Sequence, residues 1–421
     1  MTIKRKIFND PVYGFISVNN ELVFDIIEHT YFQRLRRIKQ LGLTHLVYPG
    51  ALHTRFHHSL GAMHLMQKAI AELRAKGHHI TNNEATGAEL AILLHDIGHG
   101  PYSHALEHSI VSGINHEEVS KIFLEELNTQ FNGELNTAIS IFENKCEKKF
   151  LHKLVSSQLD MDRIDYLKRD SFFTGVAEGV INYERLLNML NVVDDGLVIE
   201  AKGIYSVEKF ITARRLMYWQ VYLHKTVIGA EYMLMRLLER AKYLSMNGNK
   251  LFASPTLDYF LNQDIGINDF IGDDLALSQF SQLDDYDIFG ALKVWKNQSD
   301  IILSTLSKGL ADRRLFKIEL QNEAFDEDYI EGLRSKIIKK FGIHASESDY
   351  LLIRDKTSNY AYKPGPDKIN ILFKDGSVKD IADAADELNI SLLNKPVTKH
   401  FICYPKELTE KLNYFRKNGF D

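Results

Sequence analysis

The most constraining feature of this 421-residue chain is a crowding of histidines around one His-Asp doublet. Eleven of the 17 histidines lie between His53 and His116, and the doublet, His95-Asp96, ends a largely apolar stretch at 85–96. The pattern predicts a buried helix, which the Gly-His-Gly-Pro sequence at 98–101 should terminate. A buried Asp and His need partners, because an uncompensated buried charge costs several kcal/mol.

A divalent metal would satisfy this doublet. Neutral imidazoles and carboxylates together suit Fe, Mn, Zn or Ni better than Ca. The alternative is an ordinary hydrogen-bonded pair at a helix end.

Further ligands could come from two more helical patterns. One covers about 59–76 and follows the adjacent His57 and His58, between which the pattern alone does not choose. The other covers about 153–169, where spacing leaves four acids open as ligands: Asp160, Asp162, Asp165 and Asp170.

Several long motifs, in a fixed order, resemble those of the HD-domain phosphohydrolases. They are HTRFHHSLGAMHL at 53–65, LLHDIGHGPYSHALE at 93–107, NHEEVS at 115–120 and LDMDRIDYLKRD at 159–170. The similarity covers most of residues 5–230 and is greatest to the deoxynucleoside triphosphate triphosphohydrolases. It implies a mainly α fold with a helical HD-domain core.

The resemblance selects the metal ligands as His58, His95, Asp96 and Asp162, with one divalent metal per chain (Mn, Fe, Ni, Zn or Mg). Four protein ligands would leave positions open for water and a phosphate oxygen, as a catalytic metal requires. His57 need not be a ligand.

Four further residues match catalytic positions of the family: His99, His104, Glu107 and His116. His104 would contact the reacting phosphate and protonate the leaving oxygen, work that suits an imidazole titrating near neutral pH. Glu107 would orient His116.

The substrate contacts implied by the resemblance fall into two groups. Phosphate would be bound by Arg55, Arg163 and Arg214, since a guanidinium can grip phosphate through two hydrogen bonds. Sugar and base would be bound by Gln40, Leu41, Tyr166, Asp170 and Tyr222.

The expected reaction is metal-assisted hydrolysis of a deoxynucleoside triphosphate to a deoxynucleoside and triphosphate. One alternative is another HD-type nucleotide phosphohydrolase, acting on a monophosphate or a cyclic dinucleotide. Another is a nucleotide-sensing regulator that binds without turnover.

Vertebrate members of the family are switched on by a guanine nucleotide bound between subunits. The matching positions here are Lys6, Glu28, Gln33, Arg36 and Arg313. The basic run of Arg34, Arg36, Arg37 and Lys39 either binds phosphate or forms a solvated helix face. We therefore predict a homo-oligomer, dimer or tetramer, with a guanine-nucleotide activator.

Composition excludes several other classes of function. The net charge of −5 makes nucleic acid an unlikely partner. Cys146 and Cys403 lack metal-ligand spacing and indicate a reducing compartment. The first residues contain no apolar signal region and no run is long enough to span a membrane, so we expect a cytoplasmic protein.

Three regions follow from the patterns. Residues 1–50 carry a strand at 13–18 and a basic helix from Phe32 to Leu41, and form the expected effector and oligomer contact. Residues 51–312 form the helical phosphohydrolase body. Residues 313–421 predict a small C-terminal α+β appendage with strands at 348–353, 369–373 and 400–404.

Overall fold

The computed structural model describes residues 6–102, 106, 109–111, 113, 115–272, 274–359, 362, 365, 367–385 and 397–408. This part is mainly helical, and its strands form three small sheets. The predicted mainly α class is confirmed.

The helices follow one another through the whole described chain. They are α1 (Glu21–Glu28), α2 (Thr30–Gln33), α3 (Arg55–Ala75), α4 (Asn82–Leu94), α5 (His116–Gln130), α6 (Asn136–Phe142), α7 (Lys149–Val155), α8 (Met161–Thr174), α9 (Tyr183–Asn188), α10 (Ile204–Met217), α11 (Lys225–Met246), α12 (Pro255–Asn262), α13 (Ile267–Gly272), α14 (Asp274–Phe280), α15 (Asp285–Trp295), α16 (Ile301–Ala311), α17 (Glu327–Phe341) and α18 (Ile381–Ala384). A π-helical turn at Tyr218–Tyr222 extends α10.

The strands lie at the N-terminus, in the middle and near the C-terminus. They are β1 (Lys6–Asp10), β2 (Gly14–Val18), β3 (Leu190–Val193), β4 (Gly196–Glu200), β5 (Lys317–Gln321), β6 (Ile353–Asn359), β7 (Asn370–Leu372), β8 (Val378–Asp380) and β9 (Val397–Tyr404). β1 and β2 form an antiparallel hairpin, and the other sheets have the orders β3-β4-β7-β8 and β5-β9-β6.

The centre of the body is α3, which packs against α4 and α8. The predicted apolar face of α3, from Leu60 to Leu73, is buried, and so is α4 from Leu90 to Leu94. These three helices therefore bring distant parts of the sequence to one place in the core.

Several predicted boundaries are wrong. α3 begins at Arg55, four residues early, because Thr54 and His57 form a capping box there. α4 ends at Leu94, so His95 is its C-cap and the doublet follows the helix. The single helix at 153–169 is broken at 156–160, because the side chain of Asp160 caps the new helix α8 at the amide of Arg163.

The predicted basic helix at 32–41 is also wrong. α2 gives way to a 3₁₀ turn at Arg34–Arg37. Arg34 is fully buried and donates to the carbonyl of Ile97 over 2.7 Å. Arg37 pairs with Asp284. Arg34, Arg37 and Lys39 are therefore held by tertiary contacts, while Arg36 is exposed and bonds locally to Gln33.

The C-terminal region agrees in part with the prediction. Strands β7 and β9 confirm the expected strands at 369–373 and 400–404. The strand at 348–353 is wrong, because Ala345–Tyr350 form a 3₁₀ turn capped at His344 and β6 starts at Ile353. β4 pairs in parallel with β7, so one sheet contains strands from both sides of the expected domain boundary at 312/313. The boundary itself stays a prediction. Among the described helices, none has the length and apolar character needed to cross a membrane.

Candidate metal centre and active site

Three predicted ligands converge on one point. His58 comes from the first turn of α3, His95 from the C-cap of α4 and Asp162 from the first turn of α8, and one ligand atom of each lies within 4.8 Å of the others. Oδ1 of Asp162 is 3.1 Å from Nε2 of His58 and 3.5 Å from Nε2 of His95. The packing of the three helices thus builds a cluster with metal-ligand chemistry.

Asp96, the fourth predicted ligand, borders this cluster. Its Oδ1 lies 3.3 Å from Nε2 of His95, and its Oδ2 lies 3.8 Å from Nε2 of His58. The Asp96 carboxylate also forms a buried ion pair with Arg55. Arg55 therefore holds Asp96 against the cluster as well as bringing a positive charge to it.

The hydrogen bonds of the two imidazoles test whether the site fits a metal. Nδ1 of His58 lies 2.7 Å from Asp165 Oδ2, and Nδ1 of His95 lies 2.6 Å from the carbonyl of Ile92. Because both partners accept, each Nδ1 carries a proton, and a metal ion bound in the cluster would take the place of a proton at Nε2. Both Nε2 atoms are buried and find no well-directed hydrogen bond among the described residues. The residues therefore fit a divalent metal.

The electrostatics of the cluster also favour a cation. Burial lowers the pKa of His58, but Asp162 and Asp165 outweigh burial and raise it to about 10. Burial raises the pKa of Asp162, but the contacts with His58 and His95 hold it well below its usual range. Ionised carboxylates in a buried site need positive charge close by, which a metal ion would provide.

Two predicted catalytic histidines lie next to the cluster. His99 places Nε2 3.4 Å from Asp96 Oδ1, and its ring stacks on His116 with centroids 3.8 Å apart and planes at 14°. Burial, with a further contribution from Arg55, lowers the pKa of His99 to about 3, so its ring is neutral at physiological pH. The predicted catalytic residues His104 and Glu107 lie outside the described residues.

Two of the five predicted sugar and base contacts, Tyr166 and Asp170, lie along α8. Asp162, Tyr166 and Asp170 follow at four-residue steps and share one helix face. The hydroxyl of Tyr222, in the π-helical turn, donates to Asp170 Oδ2 over 2.7 Å, and the rings of Tyr166 and Tyr222 are 6.1 Å apart. The backbone N–H of Gln40 donates to the carbonyl of His53, and Leu41 is next in the chain.

The remaining two predicted phosphate contacts hold the loop at 156–160. Arg163 donates through Nε to the carbonyl of Ser157 over 2.6 Å, and Arg214 donates to the carbonyl of Gln158 over 3.3 Å. Burial lowers the pKa of Arg214, and the positive charge of Arg163 adds to this effect. The two guanidinium groups are therefore close enough for their positive charges to repel each other.

Sequence reasoning missed two side chains that fix the site. Asp165, weighed only as an alternative ligand, instead accepts from His58. His53 donates from Nε2 to Asp170 Oδ1 over 2.8 Å, and its ring stacks on Phe173 at 4.5 Å. The helical spacing of Asp165 from Asp162 was a usable signal, and His53 had only its place in the histidine cluster.

The predicted effector residues are brought together in part. Arg36 donates from Nε to Gln33 Oε1 over 2.8 Å. Burial lowers the pKa of Arg36, and the charge of Glu28 opposes this. Lys6 lies over the ring of Phe24, one helical turn before Glu28, whereas Arg313 donates to the carbonyl of Leu46.

Comparisons with known proteins agree with this geometry. The HD domain family matches residues 55–170, and the HD associated region matches 181–252. The crystal structure of a phosphohydrolase from Bacteroides thetaiotaomicron is 54% identical with a TM-score of 0.93, covering 95% of this chain and 100% of that one.

Two sequence relatives extend the comparison. The uncharacterized protein YwfO of Bacillus subtilis is 33% identical over 96% of this chain and 93% of its own length. The SAMHD1 homolog of Dictyostelium discoideum, a deoxynucleoside triphosphate triphosphohydrolase, is 33% identical over 54% of this chain and 48% of its own length. The clustered His and Asp side chains and these matches agree, and the chain belongs to the HD-domain phosphohydrolase family.

Proposed function

We propose that the protein hydrolyses deoxynucleoside triphosphates to a deoxynucleoside and inorganic triphosphate. One observation carries the proposal: a single face of α8 presents Asp162 at one end and Asp170, bonded to Tyr222, eight residues further on. Eight helical residues span ~12 Å, which is comparable to the length of a nucleoside. A phosphate at the metal ligands would thus place the sugar and base along Tyr166 towards Asp170.

The ligand set would be His58, His95, Asp96 and Asp162. A divalent ion bound there would supply Lewis-acid chemistry at the α-phosphate. Arg55 already lies against the cluster, on Asp96, and would neutralise part of the phosphate charge.

The remaining phosphate charge would be bound by Arg163, in the first turn of α8, and by Arg214, in the last turn of α10, both of which bond the loop that precedes α8. His104 would give a proton to the departing 5′-oxygen. His116, which stacks on His99, would support this step and would be oriented by Glu107.

Sugar discrimination would come from the pair of Tyr222 and Asp170. Tyr222 and His53 each bond one oxygen of Asp170, and each carboxylate oxygen has a second lone pair that could accept from a sugar hydroxyl. The bulk of the Tyr222 ring beside that carboxylate would disfavour a 2′-hydroxyl. Gln40 and Leu41 would close the pocket from the N-terminal side.

The test is incubation of metal-loaded protein with the four deoxynucleoside triphosphates, followed by anion-exchange separation of the products. We expect inorganic triphosphate and deoxynucleoside in equal amounts, and no product from the Asp162→Ala variant. Turnover of only monophosphates or cyclic dinucleotides would assign another HD-type reaction. Tight nucleotide binding without any product would assign a regulator.

We also propose a guanine nucleotide as activator, bound where subunits meet in a dimer or tetramer. The support is the set of Glu28, Gln33 and Arg36, in which a carboxylate and an amide that can recognise a purine edge lie beside a cation. Lys6 would belong to the same activator site, and Arg313 would bind at a neighbouring one. GTP or dGTP should raise both the oligomer fraction in light scattering and the rate on other deoxynucleotides. Mass and rate that stay constant at millimolar guanine nucleotide would contradict this.

We also propose that the enzyme acts in the cytoplasm. The support is the cysteine content, since the chain has two cysteines, Cys146 and Cys403, without metal-ligand spacing.

A further inference from the structure

A line of buried charged groups connects the N-terminal hairpin to the metal cluster. Asp10 accepts from Arg169 Nη1 over 2.7 Å. Arg169 grips Asp165 with Nε and Nη2, over 2.9 and 3.0 Å. Asp165 Oδ2 in turn accepts from Nδ1 of His58 over 2.7 Å. Asp10 is 8% exposed and the other three side chains are fully buried, so water does not compete for these bonds.

Asp10 is itself fixed by the hairpin. Its Oδ1 accepts from the backbone N–H groups of Val12 and Tyr13, both over 2.9 Å, and so holds the turn between β1 and β2. Its Oδ2 is the oxygen that binds Arg169. The position of the hairpin and the position of this guanidinium are therefore linked through one carboxylate.

The helix opposite leaves room for this arrangement. Gly61, in the interior of α3, faces the Arg169–Asp165 pair, and a Cβ atom at this position would overlap both side chains. Gly is a poorer helix former than Ala, so the backbone of α3 gives no reason of its own for Gly here. The close approach of the ion pair gives one.

We propose that Asp10 and Arg169 are positioning residues for the metal centre, so that the hairpin of residues 6–18 and metal occupancy are coupled. This inference rests on the proposed role of His58 as a ligand. The two-pronged grip of Arg169 fixes the plane of the Asp165 carboxylate. That carboxylate fixes the ring orientation and the tautomer of His58, and with them the direction of its Nε2 lone pair.

The expected effects decrease with distance from the metal. Loss of a side chain that bonds a ligating imidazole weakens metal binding about 10- to 100-fold, which we expect for Asp165→Asn. Asp10 acts through two further side chains, so we expect about three- to tenfold for Asp10→Asn. The amide of this variant can still accept from Val12 and Tyr13, so the turn is kept while the negative charge that pairs with Arg169 is lost.

Gly61→Ala provides a variant that changes no charge. The added methyl group should displace the Arg169–Asp165 pair and weaken metal binding, although Ala favours the helix. A pure effect on helix stability would have the opposite direction.

A matched control lies far from the cluster. Asp300 also caps a backbone turn with Oδ1, at Leu303 over 2.7 Å, and pairs with a buried guanidinium, Arg240, through Oδ2 over 2.6 Å. Asp300→Asn therefore removes the same kind of charge from the same kind of contact. We expect the metal affinity of this variant to stay within about twofold of that of the unmodified protein. Asp300 forms none of the hydrogen bonds that link Asp10 to His58.

The experiment uses full-length protein loaded with Mn²⁺, and measures metal loss against increasing chelator together with the folded fraction by circular dichroism. Folded Asp10→Asn and Gly61→Ala should release Mn²⁺ more readily than Asp300→Asn. If both retain Mn²⁺ like the unmodified protein, the coupling is overturned while the proposed function stands. Unmodified protein that binds no divalent metal would overturn both.

A second measurement needs no variant. Because coupling is reciprocal, bound Mn²⁺ should slow amide hydrogen exchange in residues 6–18 as well as near the ligands. Exchange in the hairpin that is the same with and without Mn²⁺ would overturn the coupling even if the substituted proteins fail to fold.

Discussion

The carboxylate of Asp170 provides a sharp test of how the pocket is built. It is 1% exposed and receives one hydrogen bond from Tyr222 and one from His53. Tyr222→Phe removes one donor and keeps the ring. His53→Phe removes the other and keeps an aromatic ring against Phe173. Hydrogen bonds to charged groups contribute about 1.5–3 kcal/mol, so each variant should lower the free energy of unfolding by about 2 kcal/mol.

The double variant should cost more than the sum. With one donor gone the carboxylate still has the other, but with both gone a buried charge loses both of these partners. We expect a coupling free energy of about 0.5–3 kcal/mol, measured from urea transitions of metal-loaded protein with unchanged slopes. The control is Tyr232→Phe, which removes a hydroxyl bonded to the exposed carboxylate of Asp355 and should cost less than about 1 kcal/mol. Additive losses, or single losses no larger than the control, would refute the reasoning.

Three further predictions concern the metal, the sugar and pH. Protein as purified should hold about one transition metal per chain, and Asp162→Ala should lose most of it; full occupancy by elemental analysis would contradict the ligand set. Tyr222→Ala should narrow the preference for dGTP over GTP, and equal rates on both for the unmodified enzyme would contradict the pocket. Burial raises the pKa of Glu231 to about 7 from an ordinary 4.5, so the folded state binds a proton that the unfolded chain releases. Stability should fall as pH rises from about 4.5 to 7, by up to about 3 kcal/mol, and Glu231→Gln should abolish the fall; parallel urea midpoints for both proteins at pH 5 and 8 would contradict this.

The sequence predicts individual helices and their buried faces best. The apolar run ending at the doublet is α4, and the apolar face of the following pattern is the buried side of α3. The convergence of His58, His95 and Asp162 needed the order of the motifs as well, because no single pattern tells which helices meet. The helical pattern alone did not choose between His57 and His58 as the ligand. In the structure, His57 completes the cap of α3, whereas His58 is buried in the core.

Features that depend on distant contacts were not predictable from local pattern. β4 pairs with β7 across some 170 residues, and a strand as short as β7 carries no information about its partner. The break before α8 depends on Asp160, whose carboxylate could equally have been a surface acid or a ligand. In the structure it is 1% exposed and caps the helix, and this burial raises its pKa to about 6.

Arg34 shows most clearly why charge patterning misled. A run of four basic residues predicts solvent or phosphate, yet Arg34 lies between the rings of Phe123 and Phe280, 5.6 and 5.1 Å from their centroids. Its donors reach the carbonyls of Ile97 and Leu283, which are 63 and 249 positions away. Burial lowers the pKa of Arg34 to about 9, so the group still carries its charge at neutral pH.

The placement of Arg34 changes how the N-terminal region relates to the site. Ile97 follows Asp96 directly, so the bond from Arg34 holds the backbone just beyond the doublet. Asp10 holds Arg169 and, through it, Asp165 beside His58. Residues 6–37 thus support the cluster at two of its three elements, the end of α4 and the start of α3. Sequence patterns mark this segment off as a separate regulatory region, but its hydrogen bonds join it to the side chains and backbone around the proposed metal ligands.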